Sequence, residues 1–141
     1  MNGEEFFNII NRCLDKGEDD FTSLNQVEKV CYLIGSMDSE FQMGGVMSVY
    51  FNSLGGYITE IVECLEVIGL KNIAEGLEDI NTAFKDGNPD KDIQFRRQEI
   101  DKNRDAIVRK MRLHEREFDE TNFMQALSDY LEKVRFMPEI H

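Results

Sequence analysis

The sequence contains no tryptophan, only two prolines and only two histidines among its 141 residues. Because proline interrupts helices, its scarcity permits long helices along almost the whole chain. No segment approaches the ~20 consecutive apolar residues that a membrane-spanning helix needs. The first charged residues, Glu4 and Glu5, are acidic, whereas a signal peptide begins with basic residues. These absences predict a cytoplasmic, helical protein without a membrane segment.

Side chains that commonly build catalytic or metal sites are also scarce. The three cysteines, Cys13, Cys31 and Cys64, have no repeating spacing, and each lies on or beside an apolar stripe. We therefore expect buried structural thiols and no redox role. His114 is the only internal histidine and has no second histidine one turn away, so no metal site or Cys–His or Ser–His pair is indicated. The sequence predicts a protein that is not an enzyme and binds no cofactor or metal.

Basic residues are outnumbered by acidic ones. There are 16 Lys and Arg against 28 Asp and Glu, a net charge of −12, and basic residues exceed acidic ones only within the segment 92–118. Contacts with phosphate need Lys and Arg, so direct binding to nucleic acid or to an anionic membrane is disfavoured. At 41% apolar residues the chain is too apolar for disorder, and its length predicts one domain over residues 1–141.

Apolar residues recur at helical spacing, and no alternating run is long enough for a paired strand. The sequence therefore predicts an all-α, single-domain bundle of about six or seven helices. Gly69 separates two amphipathic helices that we expect to form a hairpin. The segment 92–118 is predicted to be one long charged helix, because a heptad-like seam runs through it. The predicted helices are 4–14, one that Thr22 or Ser23 caps, 39–52, 57–68, 70–84, 92–118 and 121–136.

Gly44 and Gly45 lie inside the predicted helix 39–52. Each glycine costs about 1 kcal/mol against alanine in a helix interior, so the pair requires a structural reason. Close packing of another helix is one explanation, and a break in the helix is the other. We favour close packing, which is a common use of glycine.

The segment 43–57 reads MGGVMSVYFNSLGGY, and Leu65 to Gly69 follow as LEVIG. This order of motifs resembles a bacterial family of small helical domains that includes a DNA-mimic protein. The resemblance covers about residues 22–84, with Met43 where asparagine is usual and Val46 where an aromatic residue is usual. It implies a helical fold and an acidic, dimeric protein that occupies the DNA-binding surface of a repressor. The motif residues carried over are Gly44, Gly45, Phe51, Asn52, Ser53 and Gly55.

Carboxylates alternate with the apolar positions of the predicted hairpin. Successive acidic residues three positions apart lie about 4.5 Å apart along a helix axis. If both rows share one exposed surface, they form a double row of negative charge. The alternative is that these residues are solubilising helix faces. The candidate partner-binding residues are Glu60, Glu63, Glu66, Glu75, Glu78 and Asp79.

Three functional hypotheses follow. The first is a DNA mimic that binds a basic DNA-binding protein such as a transcription factor, with a homodimer extending the charged row. The second is an immunity-type or antitoxin-type protein that neutralises a toxin or nuclease. The third is an enzyme whose site is assembled from residues scattered along the sequence. Charge and the resemblance favour the first.

Overall fold

A computed structural model of the protein describes residues 1–135. Within this range the chain forms seven α-helices and no strand, which confirms the predicted all-α bundle. Position 136 of the last predicted helix lies outside the described residues. The helices are α1 (Gly3–Asp19), α2 (Gln26–Phe51), α3 (Ile58–Val67), α4 (Lys71–Asn81), α5 (Ile93–Lys102), α6 (Arg104–Glu120) and α7 (Phe123–Arg135).

Helix α2 forms the centre of the bundle. It packs against α1, α3, α5, α6 and α7, while α4 packs on α3 and α6. The central position explains why Val30, Leu33, Ile34 and Met37 of α2 are fully buried. Burial of such side chains contributes roughly 1.5–3 kcal/mol each, so α2 supplies much of the stabilising apolar surface.

The residue that caps the N-terminus of α2 is Asn25, not Thr22 or Ser23. Its side chain accepts a hydrogen bond from the Glu28 amide at 2.9 Å, and the Glu28 carboxylate accepts one from the Asn25 amide at 2.9 Å. This reciprocal pair is a capping box. Thr22 and Ser23 instead belong to the short 3₁₀ turn Phe21–Ser23. The prediction failed because two residues fit the capping-box pattern. Ser23 lies three residues before Gln26, and Asn25 lies three residues before Glu28.

Helix α2 continues through the region where a separate helix 39–52 was predicted, and it is broken at Gly44 and Gly45. Gly45 has φ 70° and ψ −164°, a conformation that L residues rarely adopt. A Cβ atom built on Gly45 would meet no atom within 4 Å. The expectation of close helix packing is therefore wrong, and the glycine pair serves as a break.

The predicted hairpin is present, with α3 and α4 packed against each other. At its turn, the Leu70 amide donates to the Leu65 carbonyl at 2.8 Å and the Gly69 amide donates to the Glu66 carbonyl at 3.1 Å. Gly69 has φ 84°. These bonds form a Schellman motif, in which glycine provides the left-handed residue.

The single long helix predicted for 92–118 is two helices, α5 and α6, separated at Asn103. Asn103 ends α5 by donating its amide to the Glu99 carbonyl, and its own carbonyl accepts from the Ile107 amide at 3.1 Å. Ile100 and Ile107 are both fully buried on either side of the break. The heptad spacing continues across Asn103, so the apolar pattern alone did not reveal the interruption.

Two further expectations concern membranes and thiols. No helix within residues 1–135 has the length and apolar character needed to cross a membrane. Cys13, Cys31 and Cys64 are free thiols, and all three are buried as their apolar stripes predict.

Candidate functional site

The exposed side of the α3–α4 hairpin bears four of the six acidic residues predicted to bind a partner. Helix α3 buries Ile58, Ile61 and Leu65, which places Glu63 and Glu66 on its solvent side. Helix α4 likewise buries Ile73, Leu77 and Ile80. The four exposed carboxylates, hereafter the acidic row, are Glu63, Glu66, Glu75 and Glu78.

The antiparallel hairpin brings the two halves of the acidic row together. Glu63 of α3 and Glu78 of α4 line the same shallow cleft, together with Thr59 and Asn81. Glu66 and Glu75 lie about one turn closer to the hairpin turn, at an axial distance of about 4.5 Å from Glu63 and Glu78. The arrangement is a short double row of negative charge on one surface.

No Lys, Arg or His nitrogen of the described residues lies within 4.0 Å of a carboxylate of the acidic row. None of these carboxylates forms a hydrogen bond with another residue of the described range 1–135 either. None of the four charges is therefore paired with a basic side chain of the described residues at contact distance. Such carboxylates are free to bind a cationic partner.

Asp79 does not belong to the acidic row. Its carboxylate contacts Lys110 Nζ at 2.9 Å and His114 Nε2 at 2.7 Å, both on α6. Hydrogen bonds from His114 and then Lys110 hold the pKa of the Asp79 carboxyl below its usual value. Asp79 thus links α4 to α6, and its charge is compensated within the protein. The sequence placed Asp79 with the outward-facing carboxylates; its side chain is more than one-third exposed, but it is ion-paired to α6.

Glu60 also lies apart from the acidic row. One carboxylate oxygen is 3.8 Å from Lys91 Nζ, and the other is buried without a hydrogen-bond partner among the described residues. The side chain is about one-third exposed. It faces the loop before α5, so only four of the six predicted residues share the exposed surface.

The motif residues form a second cluster, at the end of α2. The Asn52 side-chain amide donates to Glu40 Oε2 and to Ser48 Oγ, at 3.1 Å in each case. Ser48 also donates to Glu40, and these two residues lie on opposite sides of the Gly44–Gly45 break. Asn52 therefore holds the two parts of the broken helix together. Ser53 is exposed and begins the 3₁₀ turn Ser53–Tyr57.

Two arginines of α5 bind to this cluster. Arg96 is fully buried, and its guanidinium donates to the carbonyls of Tyr50 and Asn52 at 2.6 Å each. It also donates to the Asp90 and Lys91 carbonyls at 2.7 and 3.2 Å. Burial, followed by the adjacent charge of Arg97, lowers the pKa of Arg96.

Arg97 contacts the same segment from its outer side. Its guanidinium stacks 4.4 Å from the Phe51 ring centroid, and its Nε donates to the Phe51 carbonyl at 2.8 Å. Arg97 thus binds α2 within the molecule, whereas Arg104 of α6 forms an exposed ion pair with Asp101 at 2.9 Å. Sequence reasoning did not single out Arg96, because all of its acceptors are backbone carbonyls and leave no side-chain signature.

Gly55 shows why the motif requires glycine beside Arg96. A Cβ atom on Gly55 would lie 2.6 Å from Arg96 Nε, 2.7 Å from the Tyr50 carbonyl oxygen and 2.9 Å from the Val49 carbonyl oxygen. A profile of the DMP19-like protein family matches residues 22–134, from the turn before α2 to the end of α7. The chain belongs to the DMP19-like family.

The match to the DMP19-like profile extends beyond residue 84, where the resemblance seen in the sequence ends. It therefore includes α5 with Arg96 and Arg97, as well as the α6 residues that contact Asp79. No curated protein and no solved structure gives a significant match to the chain.

Proposed function

We propose that this DMP19-like protein is a non-catalytic binding protein whose acidic row occupies the DNA-binding surface of a basic protein, such as a transcription factor. The observation that carries the proposal is that Glu63 and Glu78 line one exposed cleft and that no carboxylate of the acidic row forms a salt bridge within residues 1–135. A merely solubilising surface needs no such clustering. The resemblance to a family that includes a DNA mimic favours the same conclusion.

The spacing of the acidic row is compatible with replacing phosphates. Each helix presents one carboxylate per ~4.5 Å of axis, so the two helices together present one per ~2.3 Å. Duplex DNA carries one charge per ~1.7 Å. The local charge density is thus about three-quarters of that of DNA. Because the row is short, it corresponds to the phosphates of only a few base pairs.

Catalysis is not part of the proposal. A groove of about 950 Å³ runs between α1 and α7, and its floor includes Ile9 and Leu131. Two ionisable groups at its edge, Arg135 and Glu5, are 3.5 Å apart and neutralise each other. The residues there provide no nucleophile paired with a base, which is the arrangement that covalent catalysis requires.

Affinity capture from native cells tests the proposed function. The immobilised protein is expected to retain DNA-binding proteins, which duplex DNA displaces and which elute by ~0.5 M salt, where the Debye length is only a few ångströms. Changing Glu63, Glu66, Glu75 and Glu78 to lysine should reduce capture at least tenfold, since charge complementarity is reversed.

The matched control reverses four exposed acidic residues elsewhere, Glu18, Asp19, Glu115 and Asp119, which changes the net charge equally. This control should retain the same proteins. Capture that survives both duplex DNA and ~0.5 M salt would contradict the DNA-mimic proposal. If the retained protein is instead a toxin or nuclease encoded beside this gene, the immunity-type alternative is correct.

A further inference from the structure

The groove between α1 and α7 has an apolar floor and a polar rim. Val134 and Arg135, the last two described residues of α7, line this groove of about 950 Å³, so the chain leaves α7 at the groove. The apolar lining residues are buried or half-buried, and the polar ones on α1 are exposed. The floor consists of Ile9, Val27, Leu131 and Val134, and the α1 rim of Glu5, Asn8, Asn11, Arg12 and Asp15. Such a groove fits a segment with both apolar and charged side chains.

The sequence that follows Arg135 has this composition. Residues 136–140 read FMPEI, which is three apolar residues and one carboxylate around Pro138. A proline has no amide hydrogen and clashes with the carbonyl four residues earlier, so α7 cannot continue regularly through Pro138. The residue before a proline also favours an extended conformation. The sequence therefore favours an extended segment soon after the end of α7.

We propose that the segment 136–140 folds back from α7 into the groove and lies along α1. The α1 wall of the groove extends from Glu5 to Asp15, which is about 15 Å at ~1.5 Å per helical residue. Five extended residues span about 17 Å at ~3.3 Å each. The segment is thus long enough to cover the floor along the whole wall. Its three apolar side chains are withdrawn from water there, which is the driving force for docking.

Arg12 gives the segment a charged partner at the corresponding distance. It forms no salt bridge with another residue of the range 1–135, whereas Arg135 is already 3.5 Å from Glu5. Arg12 lies about 10 Å along α1 from Glu5, and Glu139 follows Arg135 by about 13 Å of extended chain. A segment that leaves α7 beside Glu5 therefore brings the Glu139 carboxylate to the Arg12 guanidinium.

The proposed contact depends on neither the family resemblance nor the acidic row. The DMP19-like profile matches residues 22–134, so both α1, which ends at Asp19, and the segment 136–140 lie outside the match. The groove is then closed by the chain itself. Its occupant competes with any external ligand for the same apolar floor.

Nuclear Overhauser effects between methyl groups test the proposal on the full chain. With Ile, Leu and Val methyl groups labelled, we expect a cross-peak between a methyl group of Ile140 and one of Ile9 or Leu131. Random-coil chemical shifts for residues 136–140, without such a cross-peak, would overturn the proposal. A mixture of two differently labelled preparations identifies whose segment fills the groove. A cross-peak that arises only between different molecules would make the groove a docking site for a second copy, and the intramolecular contact would be wrong.

A charge-reversal cycle tests the pairing of Glu139 with Arg12. The decrease in urea midpoint that Arg12→Glu causes should be at least halved when Glu139→Arg is also present, because the ion pair is restored with its signs exchanged. Lys102→Glu, at an exposed position of α5, is the matched control. Its effect should be the same with and without Glu139→Arg. Purely additive effects of Arg12→Glu and Glu139→Arg would overturn the proposed placement of the segment along α1.

Discussion

At the scale of single residues, Arg96 is the main connection between α5 and the end of α2. Its four carbonyl partners include Tyr50 and Asn52, which lie at the C-terminal end of α2. The carbonyls of a helix C-terminus carry a partial negative charge, so they favour a cation there. This interaction offsets the cost of burying a guanidinium without a carboxylate.

Replacing Gly55 with alanine should therefore destabilise the protein. The added Cβ atom would lie 2.6 Å from Arg96 Nε, so the guanidinium or the backbone must move and hydrogen bonds are lost. We expect a loss of about 2 kcal/mol in the free energy of unfolding, measured from urea denaturation by circular dichroism. Gly3→Ala is the control, because a Cβ atom there meets nothing within 4 Å. Equal urea midpoints for the two variants would contradict this account of the motif.

The role of Gly55 shows which part of this site could be predicted from the sequence. The motif comparison selected Phe51, Asn52 and Gly55, but it could not identify what they contact. Arg96 lies 41 residues beyond Gly55 in the chain and is held by backbone atoms, which are the same in every sequence. Only the three-dimensional path of the chain brings the two residues together.

At the scale of secondary-structure elements, the contact between α4 and α6 determines which side of the hairpin faces solvent. Asp79 binds Lys110 and His114, and Asn72 of α4 donates to Glu117 of α6. Gly76 permits this approach, because a Cβ atom there would lie 3.1 Å from the Phe118 ring. The side of α4 nearest α6 is thus occupied, which leaves Glu75 and Glu78 on the free side.

The Asp79 link should make stability depend on pH. The pKa of Asp79 is lower in the folded protein than its usual value of 3.8, so the folded state favours the ionised carboxylate. The resulting stabilisation is present above pH ~4 and is lost as the pH falls through the folded-state pKa. Asp79 is more than one-third exposed, so we expect no more than about 1 kcal/mol.

Urea midpoints of wild type and Asp79→Asn measure this effect. The two proteins should differ at pH 6, and the difference should shrink towards pH 3, because protonation removes the same charge that the substitution removes. For a double variant, Lys110→Met with His114→Gln, the difference in urea midpoint from wild type should likewise shrink towards pH 3. A difference that is constant from pH 6 to pH 3 would indicate that the Asp79 contacts with α6 contribute no ionic stabilisation.

The predictions of the helices were right or wrong for identifiable physical reasons. Helices α3 and α4 alternate buried apolar and exposed acidic residues, and this pattern gives both their existence and their exposed faces. The break at Asn103 was missed because Ile100 and Ile107 keep their seven-residue spacing across it. The ion pairs of Asp79 were not predicted, because helical spacing sets which way its side chain points but not which helix lies beside it.

At the scale of the whole molecule, the net charge of −12 is distributed unevenly. The charge of Asp79 is compensated by Lys110 and His114 of α6. The carboxylates of the acidic row form no such ion pair among residues 1–135. Like charges on neighbouring turns repel, so this surface reduces the stability of the unbound protein. A binding surface for a cationic partner gains affinity from the same unpaired charges.

This reasoning gives a prediction that needs no partner. Changing Glu63, Glu66, Glu75 and Glu78 to glutamine should raise the free energy of unfolding by about 1 kcal/mol at low salt, because four like charges are removed from one surface. The gain should diminish towards 1 M salt, where the Debye length is only ~3 Å. Thermal unfolding followed by circular dichroism at several salt concentrations measures it. As a control, Asp79→Asn should lower stability, because it removes a compensated charge. If the fourfold variant is no more stable than wild type at low salt, the carboxylates of the acidic row do not repel one another appreciably, and the close double row of negative charge on which the DNA-mimic proposal depends is not present in solution.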